Sequence, residues 1–240
     1  MSRSSRFKVS SPSSSSTTSS TPSTFSTLKY ILWDWNGTLL DDTQAALDTL
    51  NIMLERRGVA PIAMDFFRDH FAFPCRPFYD RIGMHVEDDE WDALAQEYHD
   101  LYAEQPKRLN REAIAALERA KAAGAKQSII SALRQDLLDE VTARMGVAPY
   151  MECVYGVDNL DGASKLDRAL ELLNRIAPPA GDQPDVVVIG DALHDKEVAD
   201  ALGVRCVLCG QGSHVAWRLR EVAPTGETLL EAVNLALLTT

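Results

Sequence analysis

The stretch Tyr30-Ile31-Leu32-Trp33-Asp34-Trp35-Asn36-Gly37-Thr38-Leu39-Leu40-Asp41-Asp42 decides how this chain is read. Tyr30 to Trp33 has the length and bulk of a buried strand, and Asn36-Gly37 forces a turn soon after it. Asp34 therefore stands where the strand stops. In open α/β sheets ligands bind in the crevice beyond the carboxyl ends of the strands, so an acid in that position faces a pocket. Local turn hydrogen bonding is the structural alternative for a lone Asp. The rest of the chain bears on the choice.

Working outward, residues 43–57 carry Ala46, Leu47, Leu50, Met53 and Leu54 at helical spacing and stop at Gly58, a usual helix terminator. Helical patterns over 64–71, 77–82 and 88–104 follow, with no strand candidate between Asp42 and Pro106. That block reads as an all-helical insert. From Asn110 the texture alternates. Helices are predicted over 111–123, 133–145, 165–176, 196–202 and 227–238, and strands over 127–130, 150–155, 185–189 and 205–208. Strand and helix in alternation imply right-handed crossovers and a mostly parallel sheet, hence an α/β fold.

Composition limits the function classes. With 240 residues, 45% hydrophobic and 25% charged, the chain has the make-up of a soluble globular protein of one domain plus a modest insert. A formal net charge of -11 argues against nucleic acid or an anionic membrane as partner, and no apolar run approaches a membrane span. Residues 1–28, rich in Ser and Thr with no acid, cannot bury enough apolar surface to offset their ordering entropy and read as a disordered tail. Cys75, Cys153, Cys206 and Cys209 suggest no disulfide framework and fit a reducing cytoplasm. The gap between Cys206 and Cys209 matches zinc and redox spacings, but without a second pair these thiols read as small buried hydrophobes.

Three polar signals fall at the ends of separate predicted strands: Asp34, Ser131 and Gly190-Asp191, the last with Asp195 one helical turn on. Lys165, at the start of a helix, can supply positive charge. Singly, Ser131 is a helix N-cap candidate, Lys165 a solvated helix residue, and Gly190-Asp191 a tight turn. Their order and shared strand-end placement favour one crevice.

From about Lys29 to about Val215 the sequence resembles the haloacid dehalogenase superfamily of aspartyl-nucleophile phosphotransferases. Asp34-Trp35-Asn36-Gly37-Thr38-Leu39 looks like its first motif, Ser131 its second, Lys165 its third and Gly190-Asp191-Ala192-Leu193-His194-Asp195 its fourth. The nearest likeness is to small capped phosphatases of the phosphoglycolate phosphatase type. The resemblance implies a Rossmann-like core of 29–43 and 107–240 with a helical cap of 44–106 inserted. It implies a nucleophile at Asp34 and a magnesium ion held by Asp34, the Asn36 carbonyl and Asp191, with Asp195 beside them. It implies phosphoryl binding by Thr38, Ser131 and Lys165, and a small phosphorylated metabolite as substrate.

One departure matters. Most phosphatases of the family carry a second Asp two residues after the nucleophile, and here that position is Asn36. An amide cannot do general acid-base work worth roughly 100- to 10,000-fold. Three consequences stay open: a substrate with a good leaving group, a stand-in such as His194, or a slow enzyme. A weakened protein that binds a phosphorylated ligand for regulation is the alternative function. In the insert, the segment from Phe71 to Arg76 is expected to look down on the site. Arg76 and Arg81 are candidates for an anionic substrate group, with His70 and His85 as weaker ones.

Overall fold

A computed structural model describes residues 1, 30–158, 165–176 and 185–238. The 1–28 tail, Met1 apart, lies outside the described residues. In chain order the elements are β1 (Tyr30–Trp33), β2 (Leu40–Asp41), α1 (Thr43–Arg56), α2 (Met64–His70), α3 (Arg76–Arg81), α4 (Trp91–Glu104), β3 (Arg108–Leu109) and α5 (Ala113–Ala122). There follow β4 (Lys126–Arg134), α6 (Gln135–Arg144), β5 (Cys153–Val157), α7 (Leu166–Ile176), β6 (Val186–Gly190), α8 (Leu193–Leu202), β7 (Arg205–Cys209), α9 (Ala216–Arg220), β8 (Thr225–Gly226) and α10 (Leu229–Leu237).

Six strands pair in the order β5-β4-β1-β6-β7-β8, every pair parallel. The α/β reading with a central parallel sheet holds. Its cause is visible in β1 and β6, whose residues are all buried because helices cover both faces. Ile31, Trp33, Val187 and Ile189 pack on one face against α5, α6 and α10, while Leu32, Val188 and Leu208 pack on the other against α7, α8 and α9. Cys206 and Cys209 belong to these two opposite layers, which rules out a shared metal or a disulfide between them. The order of strands reverses around β1, so its carboxyl end opens into the switch-point crevice.

Between β2 and β3, the described residues hold helices and turns and no strand. Leu40 and Asp41 pair antiparallel with Leu109 and Arg108, so the chain leaves and re-enters the sheet layer through one short ribbon. The sequence reading missed this ribbon, as two-residue strands have no periodicity to detect. Leu47, Leu50, Met53, Phe67, Phe78 and Leu94 form a separate apolar cluster inside this helical unit. Among the described residues no helix is long and apolar enough to cross a membrane.

Several contacts tie the helical unit to the sheet layer. Buried His214 accepts a hydrogen bond from the Leu193 backbone N–H at Nδ1 (3.0 Å) and meets the Phe71 carbonyl at Nε2 (2.7 Å). Arg68 donates to the Gln211 carbonyl at 3.1 Å, and Arg218 to that of Asp69. The His214 geometry requires the neutral ring with its proton on Nε2. Burial holds its pKa below the ordinary 6.5. On acidification the unfolded chain therefore takes up the proton first. This stabilisation is complete above pH 6.5 and declines below it. His214→Ala is expected to cost about 1–3 kcal/mol of unfolding free energy near neutrality. Urea titrations of both proteins across about pH 5 to 7.5 should show a shallower acid slope in the variant; equal slopes would contradict the bridge.

Candidate active site

Register sets the site. Trp33 pairs with Ile129 on β4 and with Ile189 on β6, so Asp34, Ser131 and Asp191 all follow at the same sheet edge. The Asp34 backbone N–H donates to the Ile189 carbonyl at 2.8 Å. Lys165, just before α7, is buried and donates to Asp34 Oδ1 and, at 2.6 Å, to Asp195 Oδ1. Asp195 Oδ2 accepts from the backbone N–H groups of Asp191 and Ala192, each at 3.0 Å. Both Asp195 oxygens are thus engaged, and the carboxylate positions Lys165 and the loop after β6.

Two glycines allow this crowding. Gly37 has φ +78°, and a Cβ there would lie 2.3 Å from Asp191 Oδ2. At Gly190 a Cβ would come within 2.1 Å of the Asp195 carboxylate. Neither position admits a side chain unless the acid moves.

The electrostatics follow from three buried carboxylates around one ammonium. Burial, and the neighbouring acids behind it, push Asp34 well above the usual carboxylate range, although Lys165 opposes the shift. Burial and then Asp195 push Asp191 up to about 7. Asp195 goes the other way: burial opposes, but Lys165 prevails and holds it low. Burial alone would lower Lys165, and Asp195 and Asp34 overcome it and raise it. With all three acids ionised, the cluster carries two negative charges more than its one ammonium offsets.

Asp34, Asp191 and Asp195 offer ligand oxygens that all lie within 4.8 Å of one another. An all-oxygen, anionic, buried donor set with uncompensated charge fits a hard divalent cation. All three carboxylates already accept at both oxygens, Asp34 from Lys165 and Thr38 and Asp191 from Thr38 and the Ser213 N–H, so an ion here would share or replace these contacts.

The structure places the remaining candidates as follows. Ser131 is buried and lines the cavity, but it does not end its strand or cap a helix. β4 runs on to Arg134, with a register shift between Ile130 and Arg134, and the Leu133 N–H donates to Ser131 Oγ at 3.0 Å. Thr38, fully buried, turns its hydroxyl to Asp34 Oδ2 (3.2 Å) and Asp191 Oδ1 (3.0 Å), so it holds the acids rather than facing the cavity. Arg76 is not brought to the site. Its guanidinium pairs with Asp88 at 2.6 Å, donates to the Val86 carbonyl at 2.9 Å and covers Trp91 from 5.5 Å. Arg81 and His85 are exposed, and His70 Nδ1 faces the Phe66 carbonyl at 2.9 Å. His194 does line the cavity; its Nδ1 faces Glu197 at 3.2 Å, while its buried Nε2 has no hydrogen-bond partner among the described residues.

Sequence reasoning missed Asp42 and Tyr102. Asn36 Nδ2 donates to Asp42 Oδ2 at 2.7 Å and contacts the Tyr102 hydroxyl at 3.0 Å; that hydroxyl in turn donates to Asp42. Gly37 N–H donates to Asp42 Oδ1 at 2.7 Å. Burial raises the pKa of Asp42 above its ordinary value. The signal available was Asp42 itself, an acid at the start of a helix, but its partner Tyr102 stands 60 residues away. A cavity of about 180 Å³ joins the two halves of the site. Asp34, Ser131, Lys165 and Asp191 lie on its sheet side, and Phe71, Phe73 and α4 supply the opposite wall. The expectation that the segment from Phe71 faces the site is met by Phe71, Phe73 and Cys75. Such a chamber can seat an oxyanion between a buried carboxylate, an ammonium and a hydroxyl.

Known proteins share this plan. Residues 31–209 match the model of the haloacid dehalogenase-like hydrolases. A phosphoglycolate phosphatase of Caulobacter vibrioides is 28% identical over 192 residues, covering 76% of this chain and 79% of that one. Among solved structures, a haloacid dehalogenase-like family protein from Streptococcus pneumoniae superposes with a TM-score of 0.66 at 17% identity, over 87% of this chain and 98% of that one. Protein tyrosine kinase A of Mycobacterium tuberculosis does so with 0.70 at 20% identity, over 88% and 99%. These two likenesses show a common fold. With its motif residues gathered at one sheet edge and a family match spanning more than half its length, the chain belongs to the haloacid dehalogenase-like hydrolases.

Proposed function

We propose that this protein is a magnesium-dependent phosphatase that hydrolyses a small phosphomonoester through an aspartyl-phosphate on Asp34, with residues 44–106 acting as the cap over the site. The observation that carries this reading is the buried Asp34 carboxylate, held by Lys165 near Asp191 and lining the chamber between the sheet edge and the helical unit. The Caulobacter relative, named a phosphoglycolate phosphatase, supports the reaction class.

When bound by Asp34, Asp191 and the Asn36 carbonyl, magnesium would offset the repulsion between a carboxylate and a phosphate dianion. The chain's own groups do the rest. Lys165 and Ser131 hold the phosphoryl oxygens, and Asp195 keeps Lys165 in place. An Asp34 oxygen attacks phosphorus as the bond to the leaving oxygen breaks, and water then cleaves the acyl phosphate, returning the carboxylate and releasing phosphate. Asn36 offers an amide where the leaving oxygen needs a proton, so esters of poor leaving groups turn over slowly. A second reading, ligand binding without turnover, is favoured by one observation: the Asn36 amide nitrogen already donates to Asp42 and Tyr102.

Asp34→Asn should abolish magnesium-dependent phosphate release in a protein that circular dichroism shows to be folded at the assay temperature; residual release above about one thousandth of the native rate would count against the nucleophile. Tight phosphate-ester binding by the native protein with no release would support the second reading. Restoring an acid gives a sharper test. In Asn36→Asp the new carboxyl faces Asp42, so one of the pair keeps a proton, and the exchange Asn36→Asp/Asp42→Asn preserves their hydrogen bond. Both are expected to raise turnover of alkyl phosphates by about tenfold or more and to change p-nitrophenyl phosphate little. Equal gains on both esters would defeat the acid-base argument.

A further inference from the structure

Opposite the carboxylates, the chamber wall is aromatic and apolar: Phe71, Phe73, Tyr79, Trp91, Leu94 and Tyr98 line it. The rings already pack on one another, Phe71 with Phe73 at 5.3 Å and Tyr79 with Trp91 at 5.5 Å, so the wall needs little ordering when a ligand arrives. Lys165 is the sole lysine or arginine on the cavity lining among the described residues, and its ammonium is committed to Asp34 and Asp195. Arg76, on the helical unit, is paired with Asp88 and lies over Trp91. A hydroxy-acid leaving group such as glycolate brings a second anionic group, and taking it out of water without a cationic partner is costly.

Resting on the phosphatase reading above, we infer that the ester's leaving group is an uncharged aromatic alcohol, a phenol-type ring seated against this wall. Two independent features agree on it. The first is the wall. The second is Asn36, because a phenol-type oxygen, with a pKa near 10 as in tyrosine, departs with far less protonation than an alkyl alcohol, whose oxygen is closer to water at about 15.7. Hydrolysis then breaks the phosphorus–oxygen bond to the ring oxygen, which leaves as phenoxide and takes its proton from water. An aromatic wall beside an acid also suits a quaternary ammonium group. Here the Asp42 oxygens are already taken by Gly37, Asn36 and Tyr102, and Arg76 lies over Trp91, which favours the neutral ring.

The full chain with magnesium is assayed for phosphate release from phenyl phosphate, 2-phenylethyl phosphate, 2-phosphoglycolate and phosphocholine. The assay is run at about pH 8, above the range in which a free imidazole carries charge. Phenyl phosphate should exceed phosphoglycolate and phosphocholine in kcat/KM by at least about tenfold. 2-Phenylethyl phosphate should match its KM but fall in kcat, which separates ring recognition from leaving-group ability. Ala95→Arg, which sets a cation on the wall, should narrow the gap between phenyl phosphate and phosphoglycolate. Equal or better use of phosphoglycolate or phosphocholine overturns the aromatic assignment and leaves the phosphatase reading standing. No release from any of the four overturns both.

Discussion

The ammonium of Lys165, buried between the carboxylates of Asp34 and Asp195, is the contact on which the rest of the site depends. It joins the end of β1, the start of α7 and the start of α8, three elements with no local sequence relation. Removing one member of such a buried group typically costs about 3–5 kcal/mol, because the remaining charge is left without a partner. The surrounding loops are shaped to permit it. Gly190 makes room for Asp195, and the backbone amides of Asp191 and Ala192 hold the oxygen that Lys165 does not use.

Charge density of this kind is tolerable only where something offsets it. Two of the three acids sit above the usual carboxylate range because burial disfavours their ionised forms and the neighbouring Asp195 carboxylate adds repulsion. A divalent cation on the oxygens of Asp34 and Asp191 would relieve that imbalance. Structural stability and chemical readiness are opposed here, as they commonly are at functional sites.

The helical unit contributes the other half of the chamber, and polar contacts, some of them buried, hold it to the sheet layer. His214 spans from Leu193 to Phe71, and Tyr102 reaches from α4 to Asp42 and Asn36. The Asn36 amide is therefore not a passive vacancy in a motif. It is the middle of a hydrogen-bonded set that links the turn after β1 to the helices above it. The residue that cannot donate a proton to a leaving oxygen as an acid would is also the residue that helps close the chamber.

Much of this was legible in the chain itself. Short Val/Ile runs alternating with amphipathic segments determined a parallel sheet, and an acid, a hydroxyl and a Gly-Asp pair at strand ends determined one reactive edge, because strand period and strand direction are local properties of sequence. The length of β4 was not legible: Ser131 lies inside the strand, where a register shift against β5 exposes it to the cavity. Nor was the fate of Arg76, which pairs with Asp88 and stacks on Trp91, or the turning of Thr38 toward the acids instead of the cavity. Asp42 and Tyr102, 60 residues apart, meet only because β2 and β3 pair and return α4 over the turn. Periodicity and turn chemistry act over a few residues, so the sequence by itself determined which elements form and where their reactive ends fall. Which side chains face one another across the chamber, and what the wall will accept, was decided by packing between distant elements.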